Sequence, residues 1–567
     1  MRRIVFRDQG LPDKGIGQLA SQWASSLLLA TALCVPFLGA QTVPMSVGQP
    51  INAYSFLRPG LPNYGIAQGS IFTVLGTGMA ETTASQDVPL QNSLKEVSIE
   101  VVINGITTRA IPYYVSPGQI NALLPSNTPV GDGTIAVTSR GHMASAPIHV
   151  VRSAFGMLTQ FDATNIAVVQ NASQGGELLS DANAANPGEY LVLWGSGLGP
   201  VEGDESQYQD PHDLNIPVEV TIGGVSTTVT YHGRSAYPGL DQINIIVPAG
   251  VSGCYVSVVV VAGGVPGNFA TIPVSSNGRT CADPELIPIT PDEYNRLLSL
   301  DNVNSGAISL TKLNTETATS DSASAVLQTY VGERIRSSGL ATHASLGSCI
   351  VLHGRRQDGP PPYFLSTPPG QLNAGPQIHV NGPNGSIAMV PRYPGYAIPS
   401  GAGPQIIPQG GGSFGFDNGS GGPDVGPFTA TLSASLTDPF VWTNRSAIKA
   451  LYRSNGQVVT WTGGIPGSYV SIFGYTFAHE NSPGGNGSDE YTSFTCSAPA
   501  SAGQFTVPAA VLGSLLPSAT SLGAGLPPAG NGYLYVVNGT SQRFSAPGLD
   551  LGLLFFNVGT SISVPFN

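Results

Sequence analysis

Few residues in this chain stand in patterns that support chemistry. Gly411-Gly412-Ser413-Phe414-Gly415 has the G-x-S-x-G form of a nucleophile elbow. That turn needs a strand before the serine and a helix after it. The flanks Gln409-Gly410 and Phe416-Asp417-Asn418-Gly419 offer neither, so the stretch reads as a flexible loop. Gly195-Ser196-Gly197 follows a strand pattern but runs into Leu198-Gly199-Pro200, which opens no helix to cradle a phosphate. It reads as a turn at a strand end. The eight histidines, at positions 142, 149, 212, 232, 343, 353, 379 and 479, never fall three or four apart, and none lies in an H-E-x-x-H pattern. Two acidic loops carry oxygen ligands of the kind calcium takes. One holds Asp204, Glu205 and Asp210; the other holds Asp489 and Glu490 near His479-Glu480. Neither has the alternating order of a calcium loop, and a solvated acidic loop is the plainer reading. Calcium is the one cofactor these loops admit. The paired carboxylates of a glycosidase need a separation of roughly 5–10 Å, and no pattern here frames such a pair. No catalytic residue is assigned. Of the four tryptophans, Trp194 sits on a strand, while Trp442 and Trp461 fall in the C-terminal third. Core packing is the commoner role for such residues, and stacking on sugars the alternative.

The elements that must carry these residues are strands. The chain has 567 residues, 72 of them glycine and 47 proline, with a net charge of −12 and only 10 % charged residues. An average soluble domain has roughly 25 % charged residues. The length suggests roughly three to five domains. No basic excess exists to neutralise phosphates, which argues against nucleic acid as a partner. The composition also lacks the Ala, Glu, Lys and Leu bulk of long helices. Arg2, Arg3, Arg7 and Lys14 precede an apolar run over 27–38 and the small residues Gly39 and Ala40. That order predicts a signal peptide over 1–40, and therefore export to the periplasm, cell surface or medium without later membrane insertion. Four cysteines then remain, Cys254, Cys281, Cys349 and Cys496, and an exported chain would pair them as two disulfides. Three pairings are possible. Cys254–Cys281 with Cys349–Cys496 is preferred, because the first would brace one domain locally.

An internal repeat organises the first half. Ser70–Met79 matches Glu189–Leu198, Val97–Ile103 matches Ile216–Ile222, and Gln119-Ile120-Asn121 matches Gln242-Ile243-Asn244. Val97, Ile99, Val101 and Ile103 alternate with their neighbours at the period of a half-buried strand. Asn104-Gly105 and Gly223-Gly224 supply the positive φ that two-residue hairpins need. Short strands at such spacing predict two Ig-like β-sandwiches, over 41–152 and 153–276. Gly195–Pro200, Pro238-Gly239, Gln242-Ile243-Asn244, Val247-Pro248 and Gly263-Gly264 also carry a resemblance. They are similar to the Ig-like domain of uncharacterised secreted proteins of soil acidobacteria, the Solibacter-type C-terminal domain. The first repeat matches less well, with Met79-Ala80-Glu81 in place of Leu-Gly-Pro. The resemblance covers about residues 50–276 and implies a fold and a compartment, with no activity.

Beyond the repeats, Thr290-Pro291-Asp292-Glu293 predicts one short capped helix through about Leu298. Residues 277–374 read as a mixed strand and linker segment, and 375–567 as a third all-β domain. The expected fold is thus all-β, tandem Ig-like sandwiches followed by a further sandwich-like domain, with very little helix. The expected role is that of a secreted or cell-surface, non-catalytic protein with a structural, adhesion or interaction function. Its partner would be a protein or polysaccharide at the cell surface. A carbohydrate-binding protein using the third domain is the alternative, and a secreted hydrolase a further one. An exposed aromatic row on the third domain would favour the carbohydrate reading, and burial of both Trp442 and Trp461 would count against it.

Overall fold

Alternation of apolar and polar residues sets which face of each strand is buried. In the strand Val97–Ile103 the four odd-numbered residues are at most 1 % exposed, while Ser98, Glu100 and Val102 face outward. Asn104 and Gly105, both with positive φ, return the chain into Ile106–Val115. That long strand serves two layers. Its first half pairs with Val97–Ile103 and its second half with Gln119–Leu123, with a bulge between Pro112 and Tyr114. In the second repeat the equivalent stretch is broken into Val225–Ser226 and Val229–Arg234. The pairing is otherwise alike. Tyr190–Ser196 pairs with Asp241–Ile246 as Ile71–Thr77 pairs with Gln119–Leu123. Each repeat closes over its own apolar core.

The computed structural model describes residues 44–160, 165–316, 318–332, 344–355, 370–399, 405–436, 438–479, 489–518 and 532–567. The expected signal peptide and most of the proline-rich stretch 354–376 lie outside the described residues. The fold is all-β, with short α-helices at Pro291–Leu298 and Ala509–Gly513. The first of these carries the expected capping box, with Thr290 Oγ accepting from the Glu293 amide and Glu293 accepting from the Thr290 amide. Among the described residues no helix is long and apolar enough to cross a membrane.

Strand pairing does not break at 374/375, where the third domain was expected to begin. The hairpin Asn302–Asn314 and Thr319–Val331 belongs to the same sheet as the end of the chain, because Asn302–Asn314 runs parallel to Leu551–Val564. Outward from there the sheet continues on one side through Gly532–Phe544, Tyr469–His479 and Asp489–Pro499 to Cys349–Arg355. On the other side it runs through Gly395–Ala397, Gly385–Arg392, Ile378–Gly382 and Gly411–Asp417 to Thr429–Ser435. The latter end curls back, and the Gln542 side-chain amide bonds the Ser433 backbone at both its N–H and its C=O. Phe414 stacks on Phe556, and Phe428 meets Phe544, inside the curl. There Lys312 Nζ lies 3.1 Å from Asp321 Oδ1 and donates to the Ile407 carbonyl. The stretch around Gly411–Gly415, expected to be a flexible loop, lies in the strand Gly411–Asp417.

Both disulfides are formed as Cys254–Cys281 and Cys349–Cys496. The second joins directly opposed residues of Cys349–Arg355 and Asp489–Pro499. Residues 44–567 form one unit. Ser345 and Ser348 Oγ accept from the Tyr255 and Ser257 amides, stitching the second sandwich to the C-terminal sheet. Leu57 and Leu61 of the first repeat pack on Leu516.

Candidate functional site

The structure places the sequence-derived candidates apart from one another. Ser413 lies within a strand paired on both sides, so the expected loop is a sheet and the G-x-S-x-G stretch is no elbow. The first acidic loop does not converge on a cation. Glu205, 9 % exposed, spends both carboxylate oxygens on the Ser126 amide and hydroxyl, at 2.6 and 2.7 Å. Burial raises its pKa, and the Ser126 bonds pull it back. Asp204 caps its own turn through the Ser206 amide and hydroxyl, and Asp210 engages His212 by its backbone carbonyl. In the second loop Glu490 lies 3.9 Å from Arg58, and the Asp489 side chain is outside the described residues. Among the described residues no group of three or more His, Cys, Asp or Glu side chains is placed to hold a metal ion. Trp442 and Trp461 are 4 % and 2 % exposed, packed in the core that surrounds Cys349 and Cys496. Their indole N–H groups donate to Asn444 and to the Ala500 carbonyl.

Glu205 does serve a site, the junction of the two repeats. The turn Gly195–Pro200 is its centre. Ser196 Oγ donates to the Gly239 carbonyl and accepts from the Ile71 amide, while Asn52 Nδ2 donates to the Ser196 carbonyl. Gly197 has φ +109°, and a Cβ there would lie 2.4 Å from the Ala154 carbonyl oxygen, so only glycine fits. Asp241 Oδ2 accepts from the Gly197 and Leu198 amides at 2.7 and 2.8 Å. Its Oδ1 lies 3.0 Å from Arg234 Nε, and both side chains are shut off from water. Burial raises the Asp241 pKa, opposed by the Arg234 charge and the two amides. Arg234 reaches across the junction to the Gly69 carbonyl and also donates to that of Gly199. Tyr113 donates to the Pro238 carbonyl. The turn Gly195–Pro200 is therefore part of an internal clasp. Nothing in their local pattern distinguishes Arg234 and Asp241 from ordinary strand residues.

A second feature lies on the C-terminal sheet. Odd-numbered residues of Tyr469–His479 and Gly532–Phe544 share one face, opposite the buried Ile472, Leu534 and Val536. Phe473, Tyr475, Phe477, Tyr533 and Tyr535 occupy that face and are half-buried. Neighbouring ring centroids are 5.4–6.2 Å apart. Burial, with Tyr535 beside it, pushes the Tyr475 hydroxyl well above the ordinary tyrosine range. The signal for this face was present as Phe473-x-Tyr475-x-Phe477 and Tyr533-x-Tyr535.

Where the first repeat meets the C-terminal sheet, His353 Nδ1 is closed to solvent without a hydrogen-bond partner among the described residues. Burial, and then the Arg58 charge, lower its pKa from 6.5 to about 4. The folded chain therefore holds neutral histidine where the unfolded chain binds a proton. Stability should be complete above pH 6.5 and fall as pH drops from 6.5 to about 4. The loss from this group is about 3 kcal/mol. Urea midpoints at pH 7.5, 5.5 and 4.5 should show this slope, and His353→Gln should flatten it. An equal slope in the variant would mean that other groups carry it.

No family model and no curated protein matches the chain. Among solved structures, the plexin A4 extracellular region is similar at 11 % identity and TM-score 0.14, over 43 % of this chain and 19 % of that one. This chain thus spans about a fifth of that plexin region. The titin I9–I11 tandem is similar at 9 % identity and TM-score 0.12, over 65 % and 94 %. SGBP-B from a xyloglucan utilization locus of Bacteroides uniformis is similar at 8 % identity and TM-score 0.15, over 83 % and 95 %. Likenesses at these TM-scores carry no argument about function.

Proposed function

We propose that this chain is an exported, non-catalytic protein of Ig-like modules with a structural, adhesion or interaction role at the cell surface or outside it. The observation that carries this reading is the clasp. Conspicuous buried polar chemistry, Arg234, Asp241, Ser196 and Glu205, is spent on joining two sandwiches rather than facing a cleft. Two disulfides support a life in an oxidising compartment. The signal-peptide pattern over 1–40 and the resemblance to acidobacterial secreted Ig-like domains agree with export. The partner is a surface protein or polysaccharide.

The test uses the full chain without its first 40 residues. It is incubated with peptidoglycan sacculi, cellulose, xylan and chitin, and separately with chromogenic ester and glycoside substrates. Retention on at least one surface material, with no turnover, is the expected result. Turnover that co-purifies with the chain would overturn the non-catalytic reading. Absence of retention on every material would remove the cell-wall role.

A further inference from the structure

We infer that the aromatic face of the C-terminal sheet is a binding site for a neutral polysaccharide chain. This rests on the reading of the protein as a non-catalytic interaction protein and names its ligand class. A solvent-facing sheet surface ordinarily carries polar or charged side chains in alternation with the core. Here five neighbouring positions on this face of two adjacent strands are aromatic rings, with Tyr475 directly opposite Tyr533 and Phe473 opposite Tyr535. The pairs that flank them across the neighbouring strands are hydroxyl residues. Thr495 faces Phe473, and Ser563 faces Tyr533, each partly exposed.

Such a surface has an apolar, electron-rich middle and a hydroxyl border. The C–H faces of pyranose rings suit the first, and sugar hydroxyls suit the second. Charge selects among polymers. Tyr469–His479 and Leu551–Val564 contain no Asp, Glu, Lys or Arg, and Gly532–Phe544 contains Arg543 alone, eight positions beyond Tyr535. On the bordering strand Asp489–Pro499 the described charge, Glu490, is paired with Arg58, and Arg543 is paired with Glu293, so among the described residues the aromatic middle of the face offers no charged group to an acidic polymer or a charged peptide. With Trp442 and Trp461 buried, these tyrosines and phenylalanines are, among the described residues of the domain, a cluster of aromatic rings that stays partly exposed.

Retention of the full chain is measured on cellulose, on insoluble neutral mannan and xylan, and on polygalacturonate as the charged control. Retention on at least one neutral polymer, absent on polygalacturonate, is expected. Tyr475→Ala should weaken it by about tenfold, and Tyr475→Phe should weaken it less. Because Tyr475→Ala could disturb folding, the wild-type chain is also acetylated with N-acetylimidazole, with and without the bound polymer. Tyr533 and Tyr535 should be protected by the polymer. Unprotected tyrosines, or undiminished retention of a folded Tyr475→Ala chain, would overturn the site while leaving the interaction role standing. Self-association that masks the same tyrosines without sugar would assign the face to a second copy and overturn the proposal as well. Retention on peptidoglycan alone, unaffected by Tyr475→Ala, supports the broader role and refutes this site.

Discussion

Asp241→Ala should lower the unfolding free energy by about 3–5 kcal/mol, the usual cost of leaving one partner of a buried ion pair uncompensated. Arg234 would remain at 0 % exposure with its charge unanswered. The amides of Gly197 and Leu198 would lose their shared acceptor at the same time. The damage should be local to the junction first, because the Arg234 guanidinium also holds the Gly69 carbonyl of the other repeat. Urea unfolding of the full chain reads the loss, and limited proteolysis near residues 195–200 should report the opened clasp. The double variant Arg234→Met with Asp241→Leu should cost less than Asp241→Ala, since neither charge is then stranded. A loss below about 1 kcal/mol for the single variant would mean that water reaches the pair and that the clasp is not sealed.

Removing the Cys349–Cys496 bridge should cost about 4–5 kcal/mol, and removing Cys254–Cys281 about 3–4 kcal/mol, on the loop-entropy account. The order follows from the chain lengths enclosed, 147 against 27 residues. Position adds to the first, because among the described residues Cys349–Arg355 ends the sheet and pairs only with Asp489–Pro499. Without the bridge the terminal strand is held by its backbone bonds and by the packing of Val351 in the core. Paired Cys→Ala variants compared by urea midpoint under non-reducing conditions measure both. Equal losses, or the reverse order, would show that native packing around the sulfurs outweighs restriction of the unfolded chain.

The two repeats were legible because their signals are local. Alternation at Val97–Ile103, paired turn residues at Asn104-Gly105 and the cap at Thr290 each need only a few neighbours to act. The strand Gly411–Asp417 was not legible. Its glycines lack the side chains that mark a strand, and it is held by Ile378–Gly382 and Thr429–Ser435 on either side. The pairing of the segment before residue 374 with the end of the chain was not legible for a related reason. Asn302–Asn314 and Leu551–Val564 are joined over ten residue pairs although about 250 positions separate them, and strand signals do not encode a partner at such range. Glu205 looked like a ligand in an acidic loop until Ser126, 79 residues earlier, was placed against it.

By itself the sequence determined the fold class, the internal repeat and the short capped helix, because composition, period and turn chemistry act over short spans. Tertiary structure decided the rest. It turned Gly195–Pro200 into an interdomain clasp, buried both C-terminal tryptophans and left a half-covered row of tyrosine and phenylalanine on the opposite face of the sheet. The physical reason is that a strand's period specifies two faces, and only the packing of distant segments decides which face is covered.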